Sequence, residues 1–238
     1  MIGLVDWGVG GLGVARLLRA PVLYLSDTGA PPYGTLSPKA LEARLRKAVS
    51  FLRDRGATKI IFACNAASTA LSRLSDLEDV SGVILPTIDL VVRSRAKKVA
   101  IVGGKRTILS RAYASALRAR GTEVVQKIAQ PLSGMIERGE QSTPAFARTV
   151  RTILRGTHDC DALVLACTHY PAATPVFEAA FEGNVIDPLP AIAKSIDAKP
   201  SRAASTFFTT GDPRAMTNGA RSAWGPSFAK LEPARVRL

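Results

Sequence analysis

Lys59-Ile-Ile-Phe-Ala-Cys64-Asn65 and Asp161-Ala-Leu-Val-Leu-Ala-Cys167-Thr168-His169 carry the same pattern twice. Each is a short apolar run that ends in Ala-Cys and then turns polar. A run that is apolar at every position, not at alternate ones, reads as a strand of a parallel sheet covered on both faces. Its polar end then lies at the carboxyl edge, where open α/β sheets bind ligands. Two equivalent edges, each bearing a thiol, predict two half-sites facing one another.

Working outward from the first run, Ile2 to Val5 reads as an opening strand. It is followed by the turn Gly8-Val9-Gly10-Gly11-Leu12-Gly13 and a helix through Leu18. Val22 to Leu25 is a second strand, and Ser26 to Ser37 a Gly- and Pro-rich loop. Ser37 and Pro38 have the chemistry of a helix cap and first turn, opening a helix that runs to Gly56. Ala66 to Leu74 is predicted helical and Gly82 to Leu85 a further strand.

Near Pro86 the pattern restarts. After a helical stretch from Ile88 to Arg95, Lys98 to Val102 is a strand that ends in Gly103-Gly104. Thr107 to Arg120 reads as a helix, Glu123 to Lys127 as a strand and Ser142 to Arg155 as a helix, ahead of the second Ala-Cys run. Toward the end of the chain only Ser205 to Thr210 has strand character. The repetition predicts an α/β fold of two pseudo-symmetric lobes, with mostly parallel sheets flanked by helices and an active site in the cleft between them. The expected bounds are 1–88 with a returning 190–238 for the first lobe, and 89–189 for the second.

Bulk properties bound the function. The 238 residues are 47% hydrophobic and 6% aromatic, which suits a globular α/β protein. No apolar run is long enough to span a bilayer, and the first residues lack the basic and apolar regions of a signal peptide. Three cysteines and two histidines match neither a disulfide framework nor a zinc pattern. A cytoplasmic protein with reduced thiols, no metal and no membrane partner is expected. The net charge of +13 attracts anions in general, but its Lys and Arg are scattered without interleaved aromatics. Nucleic acid is therefore not the expected partner.

The two thiols suggest a chemistry. Taking the α-proton from an amino acid without a cofactor needs a base on one face of the carbon and an acid on the other. Thiols serve when neighbours tune them from a pKa of about 8.5. Cys64 precedes a predicted helix N-terminus, which favours thiolate, and Cys167 stands two residues before His169, which can hold its proton. Asp6 ends the first strand, placed to bind an ammonium group or to assist a nearby acid or base. Cys160 has no counterpart in the first half and reads as structural, and His158 reads as a loop residue. The Gly-rich turn does not match the dinucleotide fingerprint, and Asp27 is wrongly spaced for a ribose ligand.

Together these segments resemble the glutamate racemases of the aspartate/glutamate racemase superfamily, nearly end to end. Ile2-Gly-Leu-Val-Asp6-Trp7-Gly8-Val-Gly10-Gly11 is similar to the family's opening Asp-Ser-Gly-x-Gly-Gly segment. Asp27-Thr28 with Pro32-Tyr33-Gly34 is similar to its substrate loop. Ala63-Cys64-Asn65-Ala66 and Ala166-Cys167-Thr168-His169-Tyr170-Pro171 are similar to its two cysteine motifs. Gly103 to Tyr113 resembles the segment that opens the second lobe, and Pro131 to Gly139 the segment carrying an acidic residue near the second thiol.

The resemblance implies a cofactor-independent exchange with Cys64 and Cys167 on opposite faces of the α-carbon. Asp6 would assist Cys64; His169 and Glu137 would assist Cys167. It assigns substrate contacts to Asp6, Trp7, Tyr33, Gly34, Asn65, Ala66, Thr107, Thr168 and His169. It also implies D-glutamate production for peptidoglycan and cell shape, and family members are often homodimers. Two positions depart from the pattern: Trp7 stands for the family's Ser, and Ala66 for its Thr. They leave open a related racemase or isomerase acting on another substrate such as aspartate, and a catalytically weak basic binding protein.

Overall fold

A computed structural model of the chain describes residues 1–199 and 203–238. Ten strands form among the described residues: β1 (Ile2–Asp6), β2 (Val22–Ser26), β3 (Lys59–Phe62), β4 (Val80–Gly82), β5 (Lys98–Gly103), β6 (Glu123–Ile128), β7 (Ala162–Ala166), β8 (Asn184–Ile186), β9 (Thr206–Thr209) and β10 (Ala234–Arg235). They make two sheets. The first has the order β10-β9-β2-β1-β3-β4, the second β6-β5-β7-β8, and every pairing is parallel.

Continuous apolar runs become central strands because both faces must be covered. All five residues of β1, β2 and β7 are buried. Alternate residues feed opposite cores. Leu4, Tyr24 and Ile61 pack on one side of the six-stranded sheet, Val5, Leu25 and Phe62 on the other. The four-stranded sheet divides likewise, with Val102, Leu163 and Leu165 against Val99, Ile101 and Val164. Cys160 packs in the first of these cores, as expected of a structural thiol.

The helix Pro38–Arg53 follows its sequence signals. Ser37 Oγ accepts from the Ala40 N–H at 3.2 Å, and Leu41, Leu45, Ala48, Val49 and Leu52 bury one stripe. Each such Leu contributes about 1.5–3 kcal/mol by leaving water.

Five elements differ from the sequence expectation, one of them β10, a strand late in the chain where the sequence predicts only Ser205 to Thr210. The strand expected at Gly82 to Leu85 is β4 three residues wide, ending at Gly82, and Ile84 to Leu85 open the helix Ile84–Ser94. Pro86 fits its first turn, where no N–H has an intrahelical partner, and Leu85 is 69% exposed, unlike a buried strand residue. The helix expected at Ala66 to Leu74 is one turn, Asn65–Ser68, then a 3₁₀ turn at Leu71–Arg73. The helix expected at Thr107 to Arg120 is split into Lys105–Leu109 and Ala112–Arg118 by Arg111, whose φ of 59° is left-handed. The opening helix covers only Leu12–Ala15. Gln130–Glu137, read only as a motif, is a helix.

Candidate active site

Asp6 closes β1, Cys64 follows β3 by two residues, and Cys167 follows β7 directly. The carboxyl edges of the two sheets thus supply both thiols to one cavity. Its wall includes ten of the residues singled out in the sequence: Asp6, Trp7, Tyr33, Gly34, Cys64, Asn65, Ala66, Thr107, Cys167 and His169. The cavity is only about 40 Å³. That is space for little more than a water, against ~300–1,000 Å³ for ordinary ligand pockets.

The Cys64 side is built around a buried carboxylate. Asp6 Oδ1 accepts from the Trp7 N–H at 2.7 Å. Its Oδ2 accepts from the Gly11 N–H and, at 3.2 Å, from the Thr168 hydroxyl. Burial pushes the Asp6 carboxyl above its ordinary value, although His169 and the Gly11 N–H pull it down. Burial likewise pushes the Cys64 thiol well up, and the charge of Asp6 adds to the rise, while the Ala67 N–H opposes it. The expected pull of the following helix is present but loses to desolvation and a neighbouring anion.

The Cys167 side is built around a buried imidazole. Cys167 Sγ lies 3.8 Å from His169 Nδ1, and His169 Nε2 lies 2.5 Å from Glu137 Oε1. Burial alone would lower the His169 pKa, but its hydrogen bonds to Cys167 and Glu137 outweigh burial and hold it well above the ordinary value. This shift favours the protonated form of the imidazole beside the Cys167 sulfur. Glu137 stands behind His169, outside the cavity wall, and also accepts from the Val9 N–H at 2.6 Å.

The Gly-rich turn is explained by this packing. A Cβ on Gly8 would collide with the Glu137 carboxylate, and one on Gly10 would sit 2.5 Å from His169 Nδ1. The turn is pinned further by Trp224 Nε1, which donates to the Val9 carbonyl at 2.8 Å.

Other expected contacts are placed less directly. Thr168 is buried with its hydroxyl on Asp6 and does not line the cavity. The Tyr33 hydroxyl donates to Asp27 Oδ2 at 2.8 Å, and Arg44 grips the same carboxylate through Nε at 2.8 Å and Nη2 at 2.5 Å. Tyr33 thereby anchors its loop. Asn65 Oδ1 accepts from the Tyr113 hydroxyl at 2.6 Å, whereas its buried Nδ2 has no hydrogen-bond partner. An unpaired buried donor in a cavity wall is costly unless a ligand meets it. Trp7 donates from Nε1 to the Ala30 carbonyl at 3.0 Å, and its ring lies 6.4 Å from that of His169. Arg106, Gln130 and Ser133 also line the cavity and were not foreseen. Two basic residues directly after Gly103-Gly104, at the carboxyl edge of β5, were the available signal for Arg106.

The sequence profile of the Asp/Glu/hydantoin racemases matches residues 20–196. The chain belongs to this family. It is 34% identical to the glutamate racemase of Aquifex aeolicus over 206 residues, covering 82% of this chain and 81% of the relative. It is 32% identical to that of Mycobacterium tuberculosis over 261 aligned positions, covering 98% and 95%. Superposition on the crystal structure of Thermus thermophilus glutamate racemase with β-chloro-D-alanine gives a TM-score of 0.85 at 29% identity, over 100% of this chain and 96% of the other. Membership makes the protein an isomerase of the amino-acid racemase class. In this racemase the Trp7 and Ala66 departures both fall on the cavity wall. Among the described residues, no helix is long and apolar enough to cross a membrane.

Proposed function

We propose that the protein interconverts L- and D-glutamate without a cofactor, by proton exchange between Cys64 and Cys167. The observation that carries this reading is the opposite electrostatic setting of two thiols on one cavity. Cys167 lies 3.8 Å from the imidazole of His169, which Glu137 braces, whereas burial with Asp6 holds the proton on Cys64. Cys167 takes the α-proton, leaving its electron pair on the α-carbon. Cys64 delivers its own proton to the opposite face. The thiolate left on Cys64 is then the base that takes the α-proton of the opposite enantiomer, with Asp6 beside it. The reverse turnover restores the first state.

The unpaired Asn65 Nδ2 is the donor we assign to a substrate carboxylate. A cavity of about 40 Å³ is small for an amino acid, and we infer that the two sheet bodies part to load and unload. We read those bodies as lobes of 1–88 with 190–238 and of 89–189. D-Glutamate formed in the cytoplasm would supply peptidoglycan synthesis, and the substrate, not nucleic acid, is the partner; a homodimer is in keeping with the family. Aspartate is the second reading, favoured by the indole of Trp7 in the cavity wall, which leaves less room for a long side chain.

The test is deuterium incorporation at Cα from solvent, across D- and L-glutamate and D- and L-aspartate. Exchange with both glutamate enantiomers is expected. Exchange confined to aspartate would select the second reading, and none with any of the four would overturn both.

A further inference from the structure

The thiol cavity has a larger neighbour. A cavity of about 570 Å³ opens beside it, and the two share Gly34, Arg106 and Gln130 in their walls. Arg106 projects from the helix Lys105–Leu109 on the four-stranded side to the loop of the six-stranded side. Its Nε donates to the Tyr33 carbonyl at 2.9 Å, and its Nη2 to the Leu36 carbonyl. Among the described residues its Nη1 has no hydrogen bond and its guanidinium no carboxylate partner. Half-burial without a counter-charge lowers its pKa, the sign of a cation short of an anion. Arg73 and Lys105 line the outer cavity, and no acidic residue does.

We propose that Arg106 recognises the side-chain carboxylate of an acidic amino acid, at the partition where the thiol cavity meets the outer one. This rests on the proposed racemase reading. With the α-carbon between the thiols, a cavity of about 40 Å³ leaves little room for the side chain, and the wall shared by Gly34, Arg106 and Gln130 leads to the larger cavity. At this partition the side chain meets a planar guanidinium with an uncommitted nitrogen, whose fork matches a carboxylate. Trp7 and Ala66 bring no hydroxyl to the wall, and a charged donor at Arg106 supplies the missing recognition. The outer cavity, lined by cations alone among charged groups, is the approach for an anion.

The experiment is calorimetric binding of glutarate, an inert dicarboxylate, and of butyrate, its singly charged analogue, to the wild type, Arg106→Met and Arg106→Lys. Each variant's thermal midpoint is checked first. Arg106→Met is expected to weaken glutarate by about tenfold or more, the loss of a charge-assisted hydrogen bond, with butyrate unchanged. Arg106→Lys should retain part of the preference, and carries the test if the Met variant does not fold. Glutamate kinetics should show a raised KM with kcat little changed. Equal glutarate affinity in wild type and variants, or none in the wild type, overturns the proposal. Arg106-dependent glutarate binding in a protein that exchanges no α-proton would overturn the racemase reading and leave this site standing.

Discussion

Cys64 and Cys167 end equivalent strands, yet their neighbours have opposite charge. Cys64 has a buried carboxylate, Asp6; Cys167 has an imidazole whose pKa is held up by its hydrogen bonds to Cys167 and Glu137. An anion beside a thiol keeps its proton on, and a cation takes it off. The repeated strand ends thus lead to a site that is symmetric in backbone and asymmetric in charge. On the proposed mechanism this asymmetry would distinguish the acid from the base before any substrate arrives.

Removing either thiol breaks the comparison outright. Cys64→Ala and Cys167→Ala are each expected to lower racemisation by roughly 10²–10⁴-fold, the usual worth of a positioned acid or base. Proton wash-out from each enantiomer, followed separately, should show each variant losing abstraction from a different one. Equal residual wash-out of both enantiomers in both variants would mean that the thiols do not act on opposite faces.

The charge asymmetry itself is tested by His169→Asn and Glu137→Gln. Iodoacetamide at neutral pH is expected to label Cys167 ahead of Cys64, because Cys167 is both the more exposed and the one beside a cation. His169→Asn should slow Cys167 labelling and leave Cys64 unchanged. Glu137→Gln should have a smaller effect in the same direction, since it removes only the brace. Racemisation should fall by about 10–100-fold in His169→Asn, less than on loss of a thiol. Unaltered Cys167 labelling in His169→Asn would refute the cationic role of the imidazole.

Gly10→Ala probes a contact found only on the Cys167 side. Its Cβ would stand 2.5 Å from His169 Nδ1, so the ring or the turn must move. A destabilisation of about 1–3 kcal/mol is expected from overpacking of this kind, read as a lower urea midpoint. Activity should fall with it, because the moved ring is the one that faces Cys167.

How much of this was legible in the sequence depends on what each feature is made of. Burial on both faces writes itself as an apolar run, so β1, β3, β5 and β7 and their edges could be read directly. Local chemistry placed the Ser37 cap. The strand expected at Gly82 to Leu85 failed beyond Gly82 because the apolar Val83 to Leu85 fit a strand or a helix's first turn equally, and Pro86 decides only once the helix exists. The pairing of Glu137 with His169 and the commitment of Thr168 to Asp6 join residues far apart in the chain. No spacing rule contains them; family resemblance pointed at Glu137, and only packing shows which atoms meet. Arg106 escaped because a Lys-Arg pair after a strand looks like solvated surface until the opposite loop is present to receive it.

The smallest expected effect separates the half-sites by pH. His169 has a folded-state pKa above the ordinary 6.5, so above that pH the folded protein binds more protons here than the unfolded chain does. Its stabilising contribution is full below pH 6.5 and is lost as pH rises through the folded value. Asp6 is also raised, so its contribution has the same sign, but its window opens at 3.8. Urea midpoints between pH 6.5 and 8.5 should therefore fall more steeply in the wild type than in His169→Asn. Between pH 4 and 6 the variant that loses slope should be Asp6→Asn. Unfolded cysteine is half ionised at about 8.5, so the raised Cys64 adds a slope near the upper limit, and the comparison cancels it because wild type and His169→Asn share Cys64. Parallel pH profiles for wild type and His169→Asn would place the imidazole's proton elsewhere and remove the electrostatic difference between the two thiols.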